Sequence, residues 1–199
     1  MGNVILNFSR DQQSRALANL PGCCQGLAEI AKFVDGSEAH LAYEAGELLQ
    51  DAFLECLSDF LHTSATLAEV EEAYSDLFTP NAPVCAIVTQ VAKTVPCGLA
   101  TNTDPSHLAR VHRDHPDVLS LFRGRIAASC QLGVRKPTPA FYEHLIGLSG
   151  FPARSLLFVD DLLVNVEAAR AAGLQAVVFD GNVVHLIQEL QSRGIHGRL

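Results

Sequence analysis

The 199-residue sequence predicts an α/β fold: parallel strands covered by helices on both faces, with a helical subdomain inserted near the start. Two observations carry that expectation. After residues 79–83 (TPNAP), short, fully apolar runs alternate with helical stretches, the pattern of strands buried on both faces. Before them, from Ser9 to about Phe78, the spacing of apolar residues is helical throughout. Composition agrees, since 48% apolar and 18% charged residues describe a globular chain, and its length suffices for one core with a smaller appended unit.

The chain opens MGNVILNFS, an apolar run headed by a Gly-Asn pair. Ser9 with Gln12, and Thr66 with Glu69, fit the capping box, in which a side-chain oxygen satisfies early helix amides and the partner reaches back. Between them, LAYEAGELLQDAFLECLSDFLH repeats apolar residues at three- and four-residue spacing, as an amphipathic helix does. Gly22, Gly26, Gly36 and Gly46 divide this half into several short helices. These boundaries assign residues 9–78 to a helical cap, and residues 1–8 with 79–199 to an α/β core. In the core the predicted strands are CGLAT (97–101), RIAAS (125–129), SLLFV (155–159) and QAVVF (175–179). Helical stretches lie near 83–93, 105–113, 137–149 and 163–172.

Charge and cysteine usage exclude several classes. A net charge of −8 without a Lys/Arg block argues against nucleic acid or an anionic membrane as partner. No apolar run approaches a membrane span. Met1-Gly2 resembles a myristoylation start, but Leu6 stands where that signal needs Ser or Thr. The six cysteines show no CxxC spacing and no signal peptide precedes them, so reduced thiols in a cytoplasmic protein are expected. A monomer or weak dimer is expected.

Ligands of an open α/β sheet bind outside the carboxyl ends of its strands. After CGLA come Thr101, Asn102, Thr103, Asp104 and Pro105. Asp104 suits an N-cap and Pro105 a first helical turn, so a hydroxyl and free amides are expected at a helix N-terminus, an anion site. Read alone, the same residues make an ordinary turn. After SLLFV come Asp160 and Asp161. Adjacent carboxylates at a buried strand end repel each other unless a cation compensates them, and oxygen-only donors suit Mg²⁺. Alternatively, one Asp caps the next helix while the other is solvated. Between these lies GVRKPTPAFYEHL, where Lys136 precedes Pro137 at a helix start. The helix dipole disfavours a cation there, which gives weight to a role in neutralising developing negative charge. His107, His112 and His115 are expected on a solvated helix face, because their spacing does not place all three on one side for a metal.

Together, GLATNTDPSH, QLGVRKPTPAFYEHL and LLFVDDLLVNVEAARAAG resemble, in order and spacing, the second to fourth motifs of the haloacid dehalogenase-like (HAD) hydrolase superfamily. The resemblance points in particular to the bacterial subgroup that includes alpha-D-glucose-1-phosphate phosphatase. It implies a Rossmannoid sheet with a cap between the first two motifs, and it covers nearly the whole chain. It further implies a Mg²⁺-dependent phosphomonoesterase acting on a small phosphorylated metabolite through an aspartyl-phosphate. In that mechanism Thr101, Asn102 and Lys136 hold the phosphoryl group. Asp160 and the backbone carbonyl of Gly2 bind the metal, and Asp161 supports the metal site. YEAGEL (43–48) resembles a cap segment of the subgroup, with no role assignable to Tyr43 or Glu44.

In the subgroup the first motif reads as an apolar strand followed by Asp-x-Gly-Asn-Val. Met1-Gly2-Asn3-Val4 matches everything after the nucleophilic Asp, and Gly2 occupies the acid/base position. The first strand and its Asp are therefore expected upstream of Met1, and the chain as written is expected to lack turnover. Two rivals stand beside the phosphatase reading. One is a 2-haloacid dehalogenase, which the paired Asp160 and Asp161 disfavour, and the other is an inactive HAD-like binding domain.

Overall fold

A computed structural model describes residues 2–195; Met1, part of the matched opening run, lies outside the described residues. Strand β1 (Leu6–Phe8) leads into five helices: α1 (Arg10–Ala18), α2 (Leu27–Gly36), α3 (Glu38–Glu44), α4 (Gln50–Leu61) and α5 (Leu67–Ser75). Strand β2 (Phe78–Pro80) follows and pairs antiparallel with β1, with Leu6 opposite Pro80 and Phe8 opposite Phe78. This ribbon, absent from the sequence reading, brings the two ends of the helical insertion side by side.

The insertion has its own core. Leu17, Ile30, Val34, Tyr43, Phe53, Leu57, Leu61, Val70 and Tyr74 are all fully buried in one cluster, with the Tyr43 and Phe53 rings stacked at 4.3 Å. Local signals set its helix ends. Thr66 and Glu69 form the complete capping box. At Ser9 only the first half forms, Oγ accepting the Gln12 amide at 3.1 Å. The long amphipathic run breaks between Glu44 and Gln50, where Gly46 adopts a φ of +74°.

The remaining chain alternates as the apolar runs predict: α6 (Ala82–Val91), β3 (Leu99–Thr101), α7 (Pro105–Asp114), α8 (Pro116–Ser120), β4 (Ile126–Ala128), α9 (Ser129–Leu132), α10 (Pro139–Ser149), β5 (Leu157–Asp160), α11 (Leu163–Ala171), β6 (Gln175–Val178) and α12 (Val183–Ser192). A 3₁₀ turn at Ala153–Ser155 precedes β5. Strand β3 pairs parallel with β4, and β5 parallel with β6.

Alternate residues of these strands feed two apolar clusters. Leu99, Ile126, Leu157 and Val159 face α6, α7, α8 and α12, whereas Ala100, Ala127, Phe158 and Ala176 face α10 and α11. The two ribbons thus share one layer between two helical layers. They do not form one continuous sheet: among the described residues no ladder joins β3 to β5. No helix among the described residues is long and apolar enough to cross a membrane.

Candidate active site

The carboxyl ends of β3 and β5 face the same space, and Lys136 spans it. Its Nζ donates to Asp160 Oδ2 at 2.6 Å and to the Ala100 carbonyl at 3.3 Å, joining by a side chain two ribbons that no backbone ladder joins among the described residues. Asn102 fixes the backbone that carries this lysine. Its Nδ2 donates to the Lys136 carbonyl at 2.9 Å, and its Oδ1 accepts the Lys136 amide at 2.8 Å. Asn102, expected as a phosphoryl-binding residue, thus has its side-chain amide engaged on the lysine's backbone.

Lys136 and Asp160 are both buried, 7% and 4% exposed, so neither charge is relieved by water. Asp160 Oδ1 also accepts from the Leu162 amide at 3.0 Å and from Asn165 Nδ2 at 2.8 Å. Burial alone would raise the Asp160 pKa. The Lys136 charge and the hydrogen bonds from Lys136, Asn165 and Leu162 outweigh it and hold the carboxyl below its ordinary value.

Asp161 is the more open of the pair, and its Oδ2 accepts from Asn3 Nδ2 at 3.0 Å. Asn3 sits in the left-handed region with φ of 54°, a conformation Asn tolerates better than most residues. That turn brings the Gly2–Asn3 segment to the Asp pair. Oxygen donors of this kind suit Mg²⁺, which takes one or two carboxylates and keeps several waters. The expected ligands are Asp160 and the Gly2 carbonyl, with Asp161 beside them, although both oxygens of Asp160 already accept protein hydrogen bonds. Among the described residues no cluster of three His, Cys, Asp or Glu side chains is arranged to hold a metal.

The loop after β3 departs from expectation. Thr101 is buried and its Oγ1 donates to the Asn102 carbonyl at 3.0 Å. Asp104 and Pro105 start α7 as predicted. Its early amides are not free, however. Asp104 Oδ1 accepts the His107 amide at 2.9 Å, Tyr43 OH accepts the Ser106 amide at 3.0 Å, and Ser129 Oγ accepts the Thr103 amide at 2.9 Å. Capping by residues from the cap and from α9 has consumed the donors that a bare helix N-terminus would offer.

The histidines also differ from expectation. His107 is buried, with Nδ1 2.6 Å from Asp104 Oδ2, which also accepts from Tyr74 OH at 2.8 Å. Only His112 lies fully on the solvated face, His115 being half-buried. From Tyr74 the polar chain continues to His40 Nδ1 at 3.2 Å, to Glu44 at 3.6 Å from His40 Nε2, and to Arg135 at 2.6 Å from Glu44. Burial lowers the His40 pKa to about 4, Asp104 opposing in part, and burial raises that of Glu44 against the pull of Arg135. Sequence reasoning assigned no contact to Asn3, Ser129, Asn165 or Arg135. Asn165 five residues after Asp160 is readable as a helix-borne partner, but the others depend on contacts between distant segments. All six cysteines are unpaired.

A family model described as haloacid dehalogenase-like hydrolase matches residues 10–173. The CbbY protein of Cupriavidus necator is 34% identical over 42% of this chain and 34% of its own length, so the chain spans about a third of that relative. The D-ribitol-5-phosphate phosphatase of Bacteroides thetaiotaomicron is 24% identical over 87% of the chain and 86% of its own length. Among solved structures, a HAD family enzyme from B. thetaiotaomicron superposes with a TM-score of 0.83 at 15% identity, covering 94% of this chain and 95% of that one. The same enzyme has been solved with magnesium and inorganic phosphate, at a TM-score of 0.81 and 16% identity over the same coverage. With the family model covering most of its length, this chain belongs to the haloacid dehalogenase-like hydrolases.

Proposed function

We propose that the protein is a phosphomonoesterase acting with Mg²⁺ on a small phosphorylated metabolite, the attacking carboxylate being an Asp that immediately precedes Met1. The observation that carries the reading is the buried Lys136–Asp160 pair spanning β3 and β5, with Asn3 and Asp161 beside it. An ammonium ion held at converging strand ends suits a dianionic substrate and a carboxylate nucleophile. The seam between β3 and β5 supports the second part. Both strands lie in one layer and, among the described residues, no ladder joins them, as expected if one more parallel strand separates them.

Thr101 Oγ1, turning from the Asn102 carbonyl, and the Asn102 backbone amide would hold the phosphoryl oxygens, and Lys136 would lie between these oxygens and the carboxylates. When bound, the metal would offset charge on the phosphoryl group and on the attacking oxygen. In the first step an oxygen–phosphorus bond forms to the carboxylate while the ester bond to the leaving alcohol breaks. In the second, water cleaves the acyl-phosphate, releasing phosphate and restoring the carboxylate.

The test extends the chain at its N-terminus by an apolar strand ending in Asp, and compares it with the same extension ending in Asn. Magnesium-dependent phosphate release from a panel of sugar and polyol phosphates is expected from the Asp form alone. Halide release from a 2-haloacid would instead favour a dehalogenase. If neither product appears with a folded Asp form, the reading fails in favour of a binding domain.

A further inference from the structure

Buried contacts join the cap to the first turn of α7 and, through Ser129 of α9, to the loop that follows β3, and they concern the YEAGEL segment left without a role by the sequence. Tyr43 is fully buried, and its OH accepts the Ser106 amide at 3.0 Å while sharing a proton with Ser106 Oγ at 2.7 Å. The Glu44 carbonyl lies 2.7 Å from Ser129 Oγ, which also accepts the Thr103 amide and lies 3.0 Å from the Thr103 carbonyl. A hydroxyl has one proton, so Ser129 donates to the cap or to the loop at any instant, and the shorter distance favours the cap. Behind them, a Cβ at Gly46 would collide with the Cys130 carbonyl, so the cap backbone is seated directly on α9.

These groups bind the backbone on either side of Asp104, next to Thr101, whose own Oγ1 rests on the Asn102 carbonyl at the end of β3. We infer that Tyr43 and Ser129 are positioning residues, through which the closed cap fixes the geometry of residues 101–106 and thereby sets affinity for the phosphoryl group. On this account the cap is part of the anion site's framework. The inference rests on the proposed role of Thr101 and Asn102 in holding phosphate.

Tyr43→Phe removes one oxygen and keeps the ring stacked on Phe53, and Ser129→Ala removes the other link. The first readout needs no ligand. Amide hydrogen exchange across residues 101–107 is expected to accelerate about five-fold in Tyr43→Phe, the size of one buried hydrogen bond, with exchange in α11 unchanged. The second is the affinity for inorganic phosphate in magnesium, by titration calorimetry, expected to weaken about five-fold in both variants. Thr101→Val serves as the reference for the loop's own role.

If Thr101→Val leaves phosphate affinity intact, or the parent protein binds no phosphate, the loop is not the anion site and the functional reading falls, taking this inference with it. If Thr101→Val weakens binding but Tyr43→Phe and Ser129→Ala do not, only the inference is overturned. Unchanged exchange in Tyr43→Phe also overturns it. Should Tyr43→Phe fail to fold, Ser106→Ala, which removes only one partner of the phenol, takes its place with the same expected directions.

Discussion

Replacing Lys136 with Met keeps most of the side chain's apolar bulk and removes its charge. Asp160 would then be a buried carboxylate facing only the Leu162 amide and Asn165. Removing one member of a buried ion pair costs about 3–5 kcal/mol, a large share of a total stability of roughly 5–15 kcal/mol. The loss of the bond to the Ala100 carbonyl would add about 1 kcal/mol. Part of this cost is escapable, because Asp160 can take up a proton once nothing opposes its burial. Asp160→Asn makes that neutralisation permanent. A double-mutant cycle over Lys136→Met and Asp160→Asn, read by urea unfolding at neutral pH, should therefore show coupling of about 2 kcal/mol or more. Additive effects within about 0.5 kcal/mol would refute the claim that the pair is buried and mutually dependent.

His40 makes the cap acid-sensitive. Its pKa falls from the ordinary 6.5 to about 4 in the fold, so the unfolded chain binds a proton in that interval while the native one does not. The contribution is intact above about pH 6.5 and is lost as pH falls to about 4, amounting to roughly 3 kcal/mol. Urea unfolding across this range should show a steeper decline in the parent than in His40→Gln, and equal slopes would contradict it. Gly46→Ala should destabilise by at least about 1–2 kcal/mol, from a positive φ and the collision with Cys130, as a lowered unfolding midpoint. Thr66→Ala, which dismantles the complete capping box, should cost about 1 kcal/mol in the same assay.

What the sequence disclosed was local. Leu99–Thr101, Ile126–Ala128, Leu157–Asp160 and Gln175–Val178 are each apolar and bounded by turn residues, so their strands are readable without tertiary information. Asp104 and Pro105, and Thr66 with Glu69, likewise mark their helix starts within a few residues. The β1–β2 ribbon was not readable, because Leu6 meets Pro80 only through the intervening cap, a pairing that no local signal announces. The same holds for the α7 amides. Their partners, Tyr43 and Ser129, lie 63 residues upstream of Ser106 and 26 downstream of Thr103, so an N-terminus that looks open in the sequence is closed in the fold. His107 was misjudged for a related reason. Its spacing from Asp104 suggested nothing apolar, yet Tyr74 from the cap stacks on it at 4.4 Å and removes it from solvent.

The most direct measurement is phosphate release from small phosphomonoesters, with and without magnesium, by the protein purified from its native host with its N-terminal peptide sequenced. Metal-dependent release is expected, from a chain in which an Asp stands just before this Met. A native chain that carries no such Asp, or one that carries it and releases no phosphate from any ester tested, would contradict it.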